Sequence, residues 1–519
     1  MTVDQAQAAL AEAQALFLAG EFRRSADLGL RAAELAKEVG RTDLITAAAM
    51  LEIGVPDPAT AAAVEHMCRD ALRTIDAGDL AGRARLHGQL AVALHHRERF
   101  DEAAMEVEQA ATLAAQAHDP LATAATLHAR QLSVSGRTTP AQQLSLSEQM
   151  LDAAVASGSP YVELLALTWR IDALLRLGDA RRAGHEIDVL DVLAARTGEP
   201  LFRWNALFDR AGLEQAVGRF DAAEEHARQA ARLLPEGQRA HTGPLLVAQL
   251  MLVATDRGVA PPEIELVRAV AIGGPMIAVT MTARFDLEVR DRSRARATFD
   301  AIRPRIDEVE LDRRGPATLA AAAELATGFG DADLGSILLQ RLQPFDGVMI
   351  GSALGVVGPT AYFIGRLEGL LGRHDDSVGH LEAALELASR GGFEPWIARS
   401  RLALAEALVR RAGPGDLGRA RTSAEMARAG AAELGMRRLA ERADGVLASW
   451  QGPRLSAREH EVADLVSGGA SNREIAAALF VSERTVETHI QHILTKLGFH
   501  ARSQVAAWVV AQRSTDGGT

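Results

Sequence analysis

Five polar residues recur at helical spacing near the end of this 519-residue sequence: Arg484, Glu487, Thr488, Gln491 and Thr495. At about 100° per residue they share one side of a helix, and aliphatic residues occupy the opposite side. Glutamine can pair with two edge atoms of adenine, glutamate can accept a hydrogen bond from cytosine, and threonine can contact the thymine methyl group. The spacing therefore predicts a helix over 483–497 that reads base edges in a DNA major groove through Arg484, Glu487, Thr488 and Gln491.

Other polar residues flank this face and are suited to holding the DNA backbone. They are Ser471, Asn472, Arg473, Thr485, His489 and Lys496. Hydroxyl, amide and cationic groups are common ligands of phosphate oxygens, and such contacts orient a protein on the duplex without reading its sequence. We therefore predict phosphate contacts at these six positions, with double-stranded promoter DNA as the partner.

Capping signals predict the short helices that position these residues. Ser456 stands three residues before Glu459, and Ser471 stands three residues before Glu474, which is the spacing of a capping box. A tight turn at 480–481 then leads into the longer helix. Two helices joined by a short turn form a helix-turn-helix unit, in which the second helix enters the major groove.

Four separated runs of sequence resemble the LuxR-type DNA-binding domain, in order and at matching distances. They are residues 455–459, 471–476, 482–489 and 496–498. We place this domain at 454–513, after a linker at 451–453 and before a disordered tail at 514–519.

The LuxR resemblance implies a four-helix unit whose last helix mediates dimerisation. In this sequence that helix runs from about Arg502 to Gln512, and its apolar residues are Val505, Trp508 and Val509. We therefore expect self-association through the C-terminal domain.

The first 450 residues repeat one small unit, which consists of a helix, a turn and a second helix rich in Ala and Leu. The clearest turns are at Gly20, Arg99, Gly178, Gly218, Gly372 and Gly415, with weaker ones at Pro56, Gly136, Gly258, Asp291 and Gly330. A period of roughly 40 residues is typical of a helical repeat array. The fold class is therefore predicted to be all-α, with a solenoid over 1–450 followed by the helix-turn-helix domain.

The repeat units resemble tetratricopeptide repeats, with somewhat longer helices. Stacked helix pairs curve into a superhelix with a concave side, so we expect the array to be a sensor or interaction region for an unidentified small molecule or protein. Residues 358–367 and 433–436 further resemble the repeat region of the large ATP-binding LuxR regulators.

Lysine content separates this chain from those larger regulators. Only Lys37 and Lys496 occur, and no Gly-Lys pair is present for a P-loop. We therefore expect neither their ATPase nor a receiver domain that needs a lysine at a strand end. Whether another protein supplies an ATPase is left open.

Charge constrains how this protein can bind DNA. The formal net charge is −12, so a DNA contact must be local. Residues 454–513 carry seven basic and six acidic side chains, which leaves a net charge of only +1. Because phosphate neutralisation supplies much of the affinity for DNA, two copies of the domain are needed for useful binding.

Catalytic and metal-binding patterns are lacking. Residues 413–418 have the letters of a dinucleotide fingerprint but follow a helical segment instead of the required strand. His460 and Glu461 lack the second histidine of a zinc helix. We expect no enzymatic activity and no cofactor or metal.

A cytoplasmic location is expected from two features. Cys68 is the single cysteine, which suits a reducing compartment, and the first ten residues lack a signal-peptide pattern. The uncharged stretches 269–283 and 347–365 are too short or too rich in Gly to span a membrane, so we expect the second to be a buried repeat helix with its turn.

Two functions remain open at this level. The first is a transcription regulator that reads promoter DNA, with RNA polymerase as a further partner. The second is a helical-repeat scaffold whose C-terminal domain is a docking or dimerisation module, in which case Glu487 and Gln491 are dispensable.

Overall fold

The computed structural model shows a long helical array followed by a small helical domain. It describes residues 2–51, 58–134, 139–233, 239–271, 275–311, 313–352, 354–449, 455–497, 499 and 501–516. The predicted linker at 451–453 and the last three residues of the predicted tail lie outside these ranges.

Helices of the array follow one another in antiparallel pairs. Their bounds are α1 Val3–Leu18, α2 Phe22–Glu38, α3 Thr42–Ala49, α4 Pro58–Thr74, α5 Leu80–His96, α6 Phe100–Ala117, α7 Pro120–Val134, α8 Pro140–Ser157, α9 Pro160–Leu177, α10 Ala180–Thr197, α11 Pro200–Val217, α12 Phe220–Leu233, α13 Arg239–Arg257, α14 Ile264–Ala271, α15 Met276–Glu288, α16 Arg292–Ile302, α17 Gly315–Phe329, α18 Ala332–Leu342, α19 Thr360–Leu370, α20 His374–Gly391, α21 Glu394–Arg411, α22 Asp416–Glu433 and α23 Arg437–Ser449. Short 3₁₀ helices cover Arg303–Glu308 and Gln343–Phe345, and two strands, β1 Met349–Ser352 and β2 Gly355–Pro359, form an antiparallel hairpin.

Turns within the helix pairs confirm the predicted repeat period. Nine of the eleven predicted turns fall on described residues, and each joins the two helices of one pair. The turns at 56–57 and 136–137 lie outside the described residues. Gly178 and Gly218 have φ values of 81° and 88°, a region that side chains disfavour. A Cβ at either position would also lie 2.7 Å from a leucine side chain of the second half of the array.

Small residues on one helix face allow neighbouring helices to pack closely. On α12 the residues Phe220, Ala223, Ala227 and Ala230 are each 2 % exposed, as their spacing predicts. Glu224, by contrast, lies toward the surface and pairs with Arg257 of α13 at 3.1 Å. The array is therefore held together by close backbone approach at alanine and by ion pairs along its edges.

The second half of the array packs back against the first. In a solenoid each repeat contacts only its neighbours, but here Arg313 forms an ion pair with Asp172 at 2.8 Å, across 141 positions. Arg399 likewise contacts Asp256 at 3.3 Å, across 143 positions. One apolar core extends from α1 to α22. Part of the predicted concave side is therefore covered by the chain itself.

The hairpin at 349–359 corrects the prediction of a repeat helix over this segment. Only α19, which begins at Thr360, is helical there. Val356 pairs with the side-chain amide of Gln215 through both backbone groups, at 2.9 and 3.2 Å. The β-branched pair Val356-Val357 and the nearby glycines favour a strand, and α9 and α11 supply the surface on which it lies.

Replacing Gly358 by alanine is expected to loosen this hairpin. Gly358 has φ 144°, and a Cβ there would lie 2.6 Å from the buried Trp396 ring. Overpacking of this kind lowers the free energy of unfolding by about 1–3 kcal/mol. Urea unfolding followed by circular dichroism measures the change.

Gly379→Ala is the matched control for this variant. Gly379 lies within α20, and no heavy atom is within 4 Å of the position of its added Cβ. Alanine there is expected to raise the free energy of unfolding by about 0.5–1 kcal/mol. Equal stabilities of the two variants would contradict the packing of the hairpin against Trp396.

Four helices with a separate apolar core follow the array. They are α24 Ala457–Ser467, α25 Asn472–Leu479, α26 Glu483–Leu497 and α27 Arg502–Asp516. The last helix is longer than predicted: it continues past Gln512 to Asp516. Residues 514–516, which were assigned to a disordered tail, are thus helical.

Candidate nucleic-acid interface

Both predicted capping boxes are present and fix where the first two helices of this domain begin. The backbone N–H of Ser456 donates to Glu459 at 2.7 Å, and the backbone N–H of Glu459 donates to the Ser456 hydroxyl at 3.2 Å. Ser471 and Glu474 repeat the arrangement at 2.7 and 3.3 Å. These bonds satisfy N–H groups that a helix start leaves unpaired.

The turn between α25 and α26 is centred on Phe480. This residue has φ 53°, the left-handed conformation, and its side chain is 96 % exposed. The next backbone N–H, from Val481, donates to the carbonyl oxygen of Ala476 at 3.0 Å and closes the end of α25. The turn directs α26 away from α25 and leaves one side of α26 uncovered.

Helix α26 is amphipathic in the way that its sequence predicts. Val486 and Ile493 are fully buried, and Ile490 and Leu497 are half-buried beside them. The predicted base-contacting residues are all exposed: they are Arg484, Glu487, Thr488 and Gln491. The structure therefore brings these four side chains together on one accessible face.

Hydroxyl groups on α26 have hydrogen-bond partners within the domain, which determine which of their atoms remain available to DNA. The Thr488 hydroxyl donates to the carbonyl oxygen of Arg484 at 2.9 Å, which uses its proton and leaves its oxygen lone pairs and its methyl group available. The Thr485 hydroxyl is 2.8 Å from that of Ser482 at the start of the helix. His489 is half-buried, and its Nδ1 atom has no hydrogen-bond partner among the described residues.

Lys496, a predicted phosphate ligand, is held by an ion pair inside the domain. Its Nζ atom lies 2.6 Å from Oε2 of Glu459, whose side chain is 5 % exposed. Burial raises the pKa of Glu459, but hydrogen bonds from Lys496 and the Ser456 backbone outweigh it, so the pKa is lowered overall. The pair ties the end of α26 to the start of α24.

Acidification is expected to weaken this domain through Glu459. Because the folded-state pKa of Glu459 lies below its ordinary value of 4.5, its ionised form stabilises the fold above that pH, and the stabilisation is lost as pH falls through the folded-state pKa. Amide hydrogen exchange of residues 455–497, corrected for the intrinsic effect of pH, measures the loss. When the pH is lowered from 6 into the acid range, Glu459→Gln should lose less amide protection than the unmodified protein.

Glu461→Gln is the control for the acid effect, because Glu461 is an exposed glutamate of the same helix, paired with Arg458 at 2.7 Å. This variant should keep the full loss of protection. If Glu459→Gln lost as much protection as the unmodified protein, the ion pair would not stabilise the domain.

Arg502 is a residue that sequence reasoning missed. Its Nη1 atom donates to Oδ1 of Asn472 at 2.6 Å, and its other nitrogen donates to the backbone carbonyl of Ala470. These bonds hold the start of α25, where Ser471 is the N-cap and Asn472 and Arg473 are the first helical residues. The sequence does contain one sign of this role, a basic residue at the start of α27. The LuxR resemblance implies only that this helix mediates dimerisation.

The predicted dimer contact is corrected by the burial of its residues. Val505 and Val509 are 1 % and 5 % exposed and belong to the core of the domain itself. Trp508 is half-buried, with its ring centroid 6.3 Å from that of His460 on α24. The apolar stripe of α27 is used to cover α24, so Val505 and Val509 do not form a surface for a second copy.

Positive charge on the exposed face is limited. Arg473 and Arg484 are exposed, and neither forms an ion pair within the part of the chain that the structure describes. Glu483 and Glu487 lie in the first two turns of α26 and partly offset them. One copy of the domain thus offers few uncompensated cations to phosphate groups.

Comparison with known families bears on this C-terminal unit. Residues 453–509 match the family described as bacterial regulatory proteins, luxR family. The C-terminal domain is of the luxR type. This agrees with the resemblance that the capping boxes and the α26 motif carry, and it concerns about a ninth of the chain.

Two relatives of the luxR-type domain are named as bacterial regulatory proteins. The domain is 47 % identical over 57 residues to an uncharacterized transcriptional regulatory protein, YhcZ, of Bacillus subtilis strain 168. It is 42 % identical over 59 residues to the oxygen regulatory protein NreC of Staphylococcus aureus strain JH9. Each match covers 11 % of this chain and 27 % of the relative. The array lies outside both matches.

Two further patterns, the glycine-rich run at 413–418 and possible metal ligands, can be checked in the described residues. Residues 413–418 are a turn between α21 and α22, in which the Gly413 N–H donates to Asp416 at 2.9 Å. Within the described ranges, no cluster of three or more His, Cys, Asp or Glu side chains is placed to hold a metal ion. Among the helices that the structure describes, none is both long and apolar enough to cross a membrane.

Proposed function

We propose that this protein is a transcription regulator that binds promoter DNA and reads its sequence with α26. The observation that carries this proposal is the single exposed face formed by Arg484, Glu487, Thr488 and Gln491 in a luxR-type domain. Donors, acceptors and a methyl group on one helix face match the pattern of base edges in a major groove. The opposite face is buried and keeps the helix in place.

Backbone contacts in this proposal come mainly from Arg473, with Ser471, Thr485 and His489 around it. Lys496 and Asn472 are engaged within the domain, so they act chiefly by positioning α26 and the start of α25. Because the described part of the domain offers only Arg473 and Arg484 as exposed arginines without an ion pair, few phosphates are neutralised, and binding requires two copies on one site. The surface through which the copies associate is not the Val505 and Val509 stripe.

The repeat array supplies control in this proposal. Its tetratricopeptide-like pairs form a folded body that a small molecule or protein effector can bind, and binding alters access of α26 to DNA. RNA polymerase as a partner of the DNA-bound protein stays a prediction.

Selection of genomic DNA fragments by the purified full-length protein tests this function. At two salt concentrations, we expect enrichment of a defined site with two related halves. Sequence-blind binding at both concentrations, or no binding, would reject the proposal in favour of a scaffold whose C-terminal domain docks to protein.

A further inference from the structure

A small cavity opens between α5, α7, α8 and α9 of the array, with a volume of about 60 Å³. Val92, Leu121 and Leu165 form apolar parts of its walls. An apolar cavity of about 150 Å³ holds benzene, so this smaller volume does not enclose a ligand of that size. The cavity is partly open to the surface, so a chain of a few carbon atoms can extend out of it. Arg85 and His128 are among its polar residues.

Arg85 gives the cavity an uncompensated positive charge. The side chain is half-buried, no acidic residue lines the cavity, and Arg85 has no ion-pair partner within the described residues. The charge is unusual in an acidic protein whose other half-buried arginines are mostly paired, as Arg170 is with Glu186 at 2.7 Å. A guanidinium group next to apolar walls favours a carboxylate, which it can bind with two hydrogen bonds.

His128 offers a neutral hydrogen-bond donor in the same cavity. Its Nδ1 atom accepts a hydrogen bond from Trp169 Nε1 at 3.1 Å. Burial, together with the charges of Arg313 and His95, lowers the pKa of His128 to about 4. The ring is thus uncharged near neutral pH, and its proton is on Nε2, since Nδ1 is the acceptor.

The cavity lies next to the ion pair between Arg313 and Asp172, which joins distant parts of the array. The Trp169 ring donates a hydrogen bond to His128, and the guanidinium of Arg313 lies over the same ring, 5.0 Å from its centroid. Arg313 pairs with Asp172, and its neighbour Arg314 lies 3.1 Å from Glu98. His128 is therefore linked through Trp169 to residues that join the first half of the array to the second.

We propose that this cavity binds a small monocarboxylate, with its carboxylate on Arg85 and His128 and a short apolar chain against Val92, Leu121 and Leu165. This class of ligand follows from the one positive charge, the one neutral hydrogen-bond donor and the narrow space beside apolar side chains. The role of this ligand as an effector rests on the proposed function, whereas its binding does not.

Calorimetric titration of the full-length protein with sodium butyrate, in excess sodium chloride, tests the proposal. We expect saturable binding at one site and at least tenfold weaker binding of butyramide, which has the same shape without the charge. Arg85→Gln should weaken butyrate binding at least tenfold, and Arg85→Lys, which keeps the charge, should weaken it less. Circular dichroism establishes that each variant is folded.

Arg130→Gln is the matched control, because Arg130 is a surface arginine of α7 whose guanidinium faces Glu108 at 3.5 Å. Its butyrate affinity should equal that of the unmodified protein. Equal affinity for butyrate and butyramide, equal affinity of the Arg85→Gln and unmodified proteins, or no binding at all would overturn the proposal. Selection of DNA by the same preparation without butyrate tests the proposed function separately.

Discussion

Replacing Arg399 by methionine is expected to lower the free energy of unfolding of the array by about 3–5 kcal/mol, because removing one member of a buried ion pair leaves its partner charged and unpaired. Arg399 is 1 % exposed. Its guanidinium contacts Asp256 at 3.3 Å, Glu288 at 3.7 Å and the Thr255 carbonyl oxygen at 3.0 Å. Methionine fills similar space but pairs with neither carboxylate.

Urea unfolding of the full-length protein measures this loss. Arg294→Met is the matched control, since Arg294 is half-exposed and pairs with Asp291 at 3.2 Å, and such pairs contribute at most about 1 kcal/mol. Adding Asp256→Asn to Arg399→Met should restore part of the stability because it removes one unpaired charge. A loss no larger than that of the control would show that the buried pair does not stabilise the packing of α21 against α13.

Replacing Glu487 and Gln491 by alanine is expected to abolish most of the preference for the selected DNA site. Each good base contact contributes about 1–3 kcal/mol of discrimination, so the double variant should prefer its site over random DNA at least about 30-fold less. Affinity for random DNA should stay equal or rise, because the negative charge of Glu487 is lost. Competition binding with labelled site and unlabelled random DNA measures both quantities.

The array supplies a closely matched control for this double variant. Glu225 and Gln229 lie four residues apart on the outer side of α12, as Glu487 and Gln491 do on α26, and their side chains bond to each other at 2.8 Å. Their replacement by alanine should leave site preference unchanged. If the Glu487 and Gln491 variant kept its preference, another surface would be reading the DNA.

Local features were predictable from the sequence because they depend on neighbouring residues. The capping boxes at Ser456 and Ser471, the exposed face of α26 and nine array turns each depend on residues within a few positions. Each carries its own periodic or capping signal.

Contacts between distant residues could not be predicted in the same way. Nothing in the pattern relates Arg313 to Asp172 or Val356 to Gln215, since each pair is 141 positions apart. The stripe of Val505 and Val509 was visible, but a stripe does not say whether the domain or a second copy covers it. The pairing of Lys496 with Glu459, 37 positions away, was hidden for the same reason.

DNA cleavage by a tethered reagent tests whether α26 lies in the major groove of DNA. Cys68 is fully buried, and burial raises the pKa of its thiol, so an added surface cysteine can be labelled selectively. Labelling the cysteine of His492→Cys places an iron chelate on the exposed side of α26, and labelling that of Gln229→Cys places it on α12 of the array. We expect cutting confined to the selected site from position 492 and none from position 229. Absent or unlocalised cutting from position 492, or the same pattern from position 229, would contradict the placement of α26 in the major groove.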